Sequence, residues 1–185
     1  ELLRVVAVAG SDRLGLDDRE FLLLTAHRAE NVDDETRFRN VLEGVAAAAA
    51  DNDLDCVFPA HPRSVGRIRE FHIDVPAPIR VVDPEDFLSF LLLEDRAAAV
   101  VTDSGGVQEE AAVLGTPCVT VRDNTERQET VEIGANRLAG TDPDAIVQSV
   151  AEALSAPTNW EPPYGDGHAA ERILDVLQEV GDGDD

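Results

Sequence analysis

Two glycines that follow a serine form the sharpest chemical motif in this sequence. The motif reads Thr-Asp-Ser-Gly-Gly over 102–106, between an apolar run at 97–101 and a helical pattern that ends at Gly115. Backbone N–H groups are unpaired where a helix starts, the helix dipole is positive there, and glycine has no Cβ to block a ligand. Ser104, Gly105 and Gly106 therefore form a candidate cradle for a phosphate or pyrophosphate. The alternative is that Ser104 only caps the helix and the glycines only permit a tight turn.

Glu110 follows Ser104 by six residues, on the second turn of the same predicted helix. A carboxylate at that position can accept hydrogen bonds from the two hydroxyls of a ribose. The alternative is a solvated surface acid, which is common in a chain with 38 acidic residues.

Histidines and arginines follow the first two predicted strands. His27, Arg28 and Glu30 come directly after the apolar run at 21–25, and His61 stands between Pro59 and Pro62 after the second strand. Histidine can donate to a phosphate or exchange a proton near neutral pH, and arginine can hold a phosphate through two hydrogen bonds. The alternatives are a capped helix start with an incidental histidine for His27, and a structural or solvated side chain for His61.

Interleaved charges follow the fifth predicted strand, where Arg122, Glu126 and Arg127 lie within the segment 122–129. A salt-bridged surface loop is the alternative to a functional role. The sequence has no GxxxxGK[ST], GxGxxG, CxxC or HExxH motif, so P-loop hydrolysis, dinucleotide redox chemistry and zinc chemistry lose support. We therefore predict no metal site and no cofactor.

Short apolar runs alternate with helical patterns along the chain, which predicts an α/β fold. The expected architecture is a doubly wound, Rossmann-like parallel sheet, in which ligands bind beyond the carboxyl ends of the strands. We expect 1–20 to be an N-terminal segment or linker, 21–180 the ligand-binding domain and 181–185 an acidic tail. The predicted strands are 21–25, 54–58, 79–82, 97–101, 117–121 and 136–139, and the predicted helices are 33–50, 64–71, 84–94, 105–114, 143–154 and 168–180.

The charge balance argues against a polyanionic partner. The chain of 185 residues has 38 acidic residues and 15 basic ones, all of them arginine, which gives a formal net charge of −23. Binding to nucleic acid or to an anionic membrane needs clustered positive charge, so neither is predicted. Molar salt shortens the range of self-repulsion to about 3 Å, so we expect a halophilic source. No signal peptide and no stretch of about 20 apolar residues is visible, which predicts a cytoplasmic protein. Cys56 and Cys118 lie in apolar runs and are expected to be buried, reduced thiols.

Taken in order, five segments resemble the C-terminal half of the non-hydrolysing UDP-N-acetylglucosamine 2-epimerases, and the resemblance runs from Phe21 onward. Two positions depart from the family pattern: Arg63 replaces a usual asparagine, and Gln128 replaces a proline. The resemblance implies one half of a glycosyltransferase-B-like, two-domain architecture whose active site lies in the cleft between the halves. The segments are His27-Arg28-Ala29-Glu30-Asn31, Pro59-Ala60-His61, Thr102 to Glu110, Arg122 to Glu129, and Pro163-Tyr164-Gly165-Asp166-Gly167.

Residue roles follow from the resemblance. It implies that Ser104, Gly105 and Gly106 hold the diphosphate, that Glu110 binds the ribose hydroxyls and that Phe90 lies against the uracil. His27 would be the active-site histidine near the leaving diphosphate, with Arg28 and Glu30 in the same motif. The remaining cleft residues would be His61 and the loop that carries Arg122, Glu126 and Arg127.

The family reaction interconverts UDP-GlcNAc and UDP-ManNAc, a step in cell-surface polysaccharide biosynthesis, through elimination and re-addition of UDP. The carboxylates that move the C2 proton belong to the family's N-terminal half, so we expect this chain to be inactive alone. Its partners would be that half, the nucleotide sugars and, through an exposed cleft face, a second copy in a homodimer. A glycosyltransferase half of the same fold, a stand-alone nucleotide-sugar binding module and an enzyme releasing free ManNAc are the alternatives.

Overall fold

Six parallel strands form one sheet in this computed structural model, which describes residues 20–181. The strand order is β3-β2-β1-β4-β5-β6. Strands β2 and β3 are therefore added on one side of β1, and β4, β5 and β6 are added on its other side. All six predicted strands and the predicted fold class are confirmed. The strands are β1 (Phe21–Thr25), β2 (Asp55–Pro59), β3 (Ile79–Val82), β4 (Ala99–Thr102), β5 (Cys118–Thr120) and β6 (Asn136–Leu138).

Eight helices connect or follow these strands within the described residues. Six match predicted helices within three residues at either end, while α1 and α6 were not predicted because one helical turn is too short to show a periodic apolar pattern. The helices are α1 (Ala29–Val32), α2 (Glu35–Asp51), α3 (Pro62–Glu70), α4 (Phe87–Arg96), α5 (Gly105–Leu114), α6 (Gln128–Glu132), α7 (Pro143–Ser155) and α8 (Ala169–Gly181).

Capping residues explain where the boundaries differ from prediction. The carboxylate of Asp34 accepts from the backbone N–H of Arg37 at 2.9 Å, so α2 begins two residues later than expected. Asp86 likewise accepts from the N–H groups of Leu88 and Ser89, both at 3.1 Å, and starts α4 after Pro84. Aspartate is a favoured N-cap because its oxygen satisfies an orphan N–H of the first turn.

Helices cover both faces of the sheet, which explains the uninterrupted apolar run of β1. Leu22 and Leu24 belong to the core cluster that includes Phe38 of α2 and Ile146 of α7. Phe21 and Leu23 belong to the opposite cluster, with residues of α4 and α5. A strand buried on both faces needs apolar side chains at every position rather than at alternate ones.

Gly44 allows α2 and α7 to approach closely on the first of these faces. A Cβ at this position would lie 2.9 Å from the Cα of Pro143 and 3.0 Å from side-chain atoms of Ile146. Alanine would therefore force the two helices apart.

The predicted N-terminal segment and acidic tail lie outside the described residues, apart from Glu20 and Gly181. Both cysteines are free and fully buried, as expected, and burial raises the pKa of each thiol. Across 20–181, none of the helices combines the length and the apolar character that a membrane span requires.

Candidate functional site

The candidate site lies at the carboxyl ends of β1 and β4, where the strand order reverses. Thr25 at the end of β1 pairs in register with Thr102 at the end of β4. The turns that follow these two threonines therefore start side by side, although they are more than 70 residues apart in sequence. This crevice is where open, doubly wound sheets bind their ligands.

Asp103 joins the two turns. Its carboxylate has no solvent exposure and accepts hydrogen bonds from the backbone N–H groups of His27 (3.0 and 3.1 Å) and Arg28 (2.9 Å). The side-chain amide of Asn31 donates a further bond at 3.2 Å and also reaches the carbonyl of Val121 at 2.9 Å. One buried acid thus fixes the main chain of the histidine turn against the glycine turn. Neither Asp103 nor Asn31 was singled out from the sequence, where both read only as members of longer motifs.

The two predicted histidines face each other at this edge of the sheet. Their ring centroids are 5.9 Å apart, and the rings are tilted by 39°. The Nδ1 atom of His27 lies 3.5 Å from Oδ1 of Asp103. The Nδ1 atom of His61 accepts the N–H of Arg63 at 3.1 Å, so its proton is assigned to Nε2. His61 is the N-cap of α3, and its ring is solvent exposed.

The turn predicted as an anion cradle, Ser104 to Gly106, lies between β4 and the first turn of α5. Ser104 occupies the N-cap position with extended backbone angles (φ −90°, ψ 128°), but its hydroxyl makes no capping hydrogen bond. Ser104 thus caps the helix by its backbone conformation, as the alternative expects, while its hydroxyl satisfies none of the N–H groups of the first turn. Gly106 is exposed, whereas a Cβ on Gly105 would lie 3.3 Å from Oε1 of Glu126 and 3.8 Å from Nη2 of Arg28.

Arginines and glutamates from two separate motifs meet beside the cradle. Arg122 is nearly buried and donates from Nε to Glu30 and from Nη1 to Glu126, both at 2.6 Å. Burial acts to lower the pKa of Arg122, but the bonds to Glu126 and Glu30 outweigh it and hold the pKa above its ordinary value. A backbone hydrogen bond together with Arg122 lowers the pKa of Glu126. Arg28 lies 3.4 Å from the other oxygen of Glu126 and is 40 % exposed, which makes it the more accessible cation.

Glu110 lies on the second turn of α5 and is half-buried, so the alternative of a fully solvated surface acid does not describe it. Burial raises its pKa, and it faces Glu94 of α4. Glu94 has no solvent exposure, and no N–H or hydroxyl group of the described residues donates to its carboxyl oxygens. Its polar partner is the carboxyl group of Glu110, with which the protonated form of Glu94 shares a hydrogen bond. Burial, reinforced by the negative charge of Glu110, raises the pKa of Glu94 to about 9.

Two further predicted residues, Phe90 and Arg127, contact α5 rather than the histidine turn. Phe90 packs on α4 against the core cluster that contains Val107 of α5. Arg127 forms an ion pair with Glu109 instead of joining the pair formed by Arg28 and Arg122. Tyr164 of the C-terminal motif donates to Glu129 at 3.1 Å on the same side, and burial raises the pKa of its hydroxyl to about 12.

The described residues contain no group of three or more histidine, cysteine, aspartate or glutamate side chains placed to hold a metal ion. The chemistry at this edge consists of backbone N–H groups, a serine hydroxyl, two imidazoles, and two guanidinium groups that are paired with Glu30 and Glu126. This set is suited to binding and stabilising a phosphate-type anion.

Comparison with known proteins agrees with this arrangement. Residues 5–178 match the sequence profile of the UDP-N-acetylglucosamine 2-epimerase family. The UDP-N-acetylglucosamine 2-epimerase of Methanocaldococcus jannaschii is 43 % identical over 164 residues, which are 86 % of this chain and 45 % of that protein. A UDP-2,3-diacetamido-2,3-dideoxy-D-glucuronate 2-epimerase from Pseudomonas aeruginosa is 39 % identical over 169 residues, covering 90 % of this chain and 47 % of its own.

A solved structure extends the likeness to three dimensions. The crystal structure of the M. jannaschii enzyme, in complex with UDP-GlcNAc and UDP, superposes with a TM-score of 0.83 at 39 % identity. The match covers 97 % of this chain and 49 % of that one. This chain therefore belongs to the UDP-N-acetylglucosamine 2-epimerase family, and it spans about half the length of the relatives that it matches.

Proposed function

We propose that this chain is the UDP-binding half of a UDP-N-acetylglucosamine 2-epimerase. The observation that carries the proposal is the Asp103 clamp, which holds the His27–Arg28 turn against the Ser104–Gly106 turn at the point where the strand order reverses. The family membership and the M. jannaschii structure with UDP-GlcNAc and UDP support it.

The diphosphate binds at the start of α5 in this proposal. Backbone N–H groups of the first helical turn and the free hydroxyl of Ser104 donate to its oxygens, and Gly105 and Gly106 permit the approach. Arg28 supplies a mobile positive charge, and the Nε2 edge of His27 faces the bridging or terminal oxygens. Together these groups stabilise the negative charge that develops when UDP leaves the sugar.

The nucleoside lies along α5 and α4. Ionised Glu110 accepts hydrogen bonds from the ribose hydroxyls, and the ring of Phe90 lies against the uracil. His61 and the loop bearing Arg122, Glu126 and Arg127 line the open side of the crevice. Glu30 holds Arg122 in place through its 2.6 Å hydrogen bond.

Epimerisation also needs an acid and a base at C2 of the sugar. We assign these groups to a second half that this chain pairs with, so the chain alone binds the nucleotide without turnover. The Pseudomonas relative acts on a different UDP sugar, as its name states. UDP is the common part of the two substrates, so the sugar specificity belongs to the second half.

The amphipathic helix α8 offers a surface for that second half. Four of its apolar side chains are between 58 and 62 % exposed, and Phe87 of α4 is 64 % exposed. Because the chain has about half the length of its relatives, we propose that the other half covers the α8 face. Sedimentation of the isolated chain tests this, because a concentration-dependent homodimer would show that a second copy covers it instead. The four side chains are Ile173, Leu174, Val176 and Leu177.

Titration calorimetry of UDP and UDP-GlcNAc in molar KCl tests nucleotide binding. We expect Ser104→Ala and Glu110→Gln each to weaken the affinity for UDP about tenfold, which corresponds to one lost hydrogen bond near a charged ligand. The matched controls Ser155→Ala and Glu43→Gln, at exposed helical positions, should leave it unchanged. A wild-type chain that binds neither compound at millimolar concentration would contradict the proposal.

Complementation tests the division of labour. The chain is mixed with the isolated N-terminal half of the M. jannaschii relative, and conversion of UDP-GlcNAc to UDP-ManNAc is followed by NMR. We expect conversion only in the mixture. Turnover by this chain alone would contradict the assignment of the C2 chemistry to the second half, and transfer of the sugar to an acceptor would favour the glycosyltransferase alternative.

We also infer adaptation to high salt from the net charge of −23 and the absence of lysine. Screening shortens repulsion between the exposed acids, so the melting temperature should rise as KCl increases from 0.1 to 2 M. A melting temperature that is independent of KCl would contradict this inference.

A further inference from the structure

A buried chain of hydrogen bonds links the cradle helix α5 to the charged loop after β5. Its central residue is Gln108, which has no solvent exposure. The side-chain oxygen of Gln108 accepts from Oγ1 of Thr125 at 2.5 Å and from Nδ2 of Asn136 at 3.2 Å. Its side-chain nitrogen donates to the carbonyl of Ser104 at 3.2 Å, so the same residue contacts the cradle and the loop.

Asn136 extends this chain of bonds to β5 and α6. Its amide nitrogen also donates to Oγ1 of Thr130 at 3.1 Å, and its amide oxygen accepts from Oγ1 of Thr120 at 2.9 Å. Both amide protons and the oxygen are used, although Asn136 is only 2 % exposed. Satisfied buried networks of this kind fix the relative positions of the elements they join.

Thr125 is the link on the side of the loop. Its hydroxyl donates to Gln108 and accepts the backbone N–H of Arg127 at 3.0 Å. Glu126 lies between Thr125 and Arg127 in the chain, and its carboxylate bridges Arg28 and Arg122 beside the cradle. The position of that carboxylate, and of the arginines it contacts, therefore depends on the Thr125 hydroxyl.

We propose that Thr125 and Gln108 are positioning residues that hold the 122–127 loop against the Ser104–Gly106 cradle and thereby set the affinity for the diphosphate. This inference takes its ligand, UDP, from the proposed function. The hydrogen bonds that support it are independent of that function. Neither residue needs to touch the nucleotide.

Thr125→Val removes the hydroxyl and keeps the size of the side chain. We expect it to weaken UDP binding about five- to tenfold in calorimetry, since the partly buried hydrogen bond to Gln108 is lost. It should also accelerate hydrogen exchange of the Arg127 amide about tenfold, whereas Thr125→Ser should restore both properties. The control is Thr116→Val, which removes a more deeply buried hydroxyl that donates to the carbonyl of Glu94 at 2.9 Å. It should leave UDP affinity within about twofold of the wild type.

Three outcomes would overturn the inference: unchanged UDP binding in Thr125→Val, equal weakening in Thr116→Val, or failure of Thr125→Ser to restore the affinity. The exchange measurement separates this inference from the proposed function. A wild-type chain that does not bind UDP defeats the proposed function, yet loss of Arg127 protection in the valine variant and its return in the serine variant would still support the positioning role.

Discussion

Asp103 and Glu94 are both acids without solvent exposure, and both lie next to helix α5, but their surroundings are opposite. Three N–H groups donate to Asp103. Glu94 has no aligned donor among the described residues and faces another carboxylate, Glu110. Burial alone therefore does not reveal what an acid does in this protein. The number of donors around it decides whether it organises a site or remains as a neutral, poorly satisfied group.

The largest effect is expected at the satisfied acid. Asp103→Ala leaves the N–H groups of His27 and Arg28 and the amide of Asn31 without their acceptor. We expect the free energy of unfolding to fall by about 3–5 kcal/mol and UDP binding to be lost, because each unsatisfied buried donor costs about 1–3 kcal/mol. Urea denaturation measures the first effect and calorimetry the second. The free energy of unfolding of Asp103→Asn, which keeps one acceptor oxygen, should lie between those of the alanine variant and the wild type. If Asp103→Ala lowers the free energy of unfolding by less than about 1 kcal/mol, Asp103 does not differ from Glu94 in the way described.

Replacing Glu94, the buried acid that faces Glu110, is expected to raise the stability at high pH rather than lower it. The pKa of Glu94 is about 9 in the folded chain, above its ordinary value of 4.5, so the folded state holds this proton more tightly than the unfolded state. Its contribution to stability is fully present below pH 4.5 and is lost as the pH rises through about 9. Glu94→Gln removes this dependence and should be more stable than the wild type at pH 9 by about 1–3 kcal/mol.

Urea denaturation of both chains from pH 5 to pH 9 checks this prediction. The variant should unfold at a nearly constant urea concentration, whereas the wild type should lose stability with rising pH. Parallel curves for the two chains would show that Glu94 does not titrate in this range.

A smaller effect is expected on ligand binding at Glu110. Because burial raises its pKa, a larger fraction of this carboxyl is protonated in weak acid, and a protonated carboxyl accepts fewer hydrogen bonds from a ribose. The affinity for uridine, which has no phosphate to titrate, should fall about threefold to tenfold between pH 7.5 and pH 5. Glu110→Gln is the control and should show a weaker, pH-independent affinity; an identical pH profile in that variant would assign the effect to other groups.

The smallest effect is expected at an exposed ion pair. Arg63, which stands where the family usually has asparagine, pairs with Asp33, and Arg67 contacts the same carboxylate at 2.9 Å. Arg63→Asn should change the melting temperature by less than about 2 °C and leave UDP affinity unchanged, because exposed pairs contribute little. A large loss of affinity would instead place Arg63 among the binding residues.

The sequence predicted the elements of the fold well because their signals are local. Apolar runs such as 21–25 and the helical pattern at 105–114 report burial and periodicity within a few residues. The short helices α1 and α6 have no such pattern, and the exact starts of α2 and α4 depend on which aspartate caps them. The turn between β4 and α5 was also placed correctly, since a serine and two glycines between an apolar run and a helical pattern mark a helix start.

The sequence by itself determined which residue types follow each strand and that parallel strands would bring them to one edge. Only the tertiary structure decided how they are held. The bond from His27 to Asp103 spans 76 positions, and that from Thr125 to Gln108 spans 17. Whether a buried acid meets donors, as Asp103 does, or another acid, as Glu94 does, depends on the packing of distant segments. Hydrogen bonds act over about 3 Å of space regardless of separation along the chain, so no local pattern could distinguish these two acids.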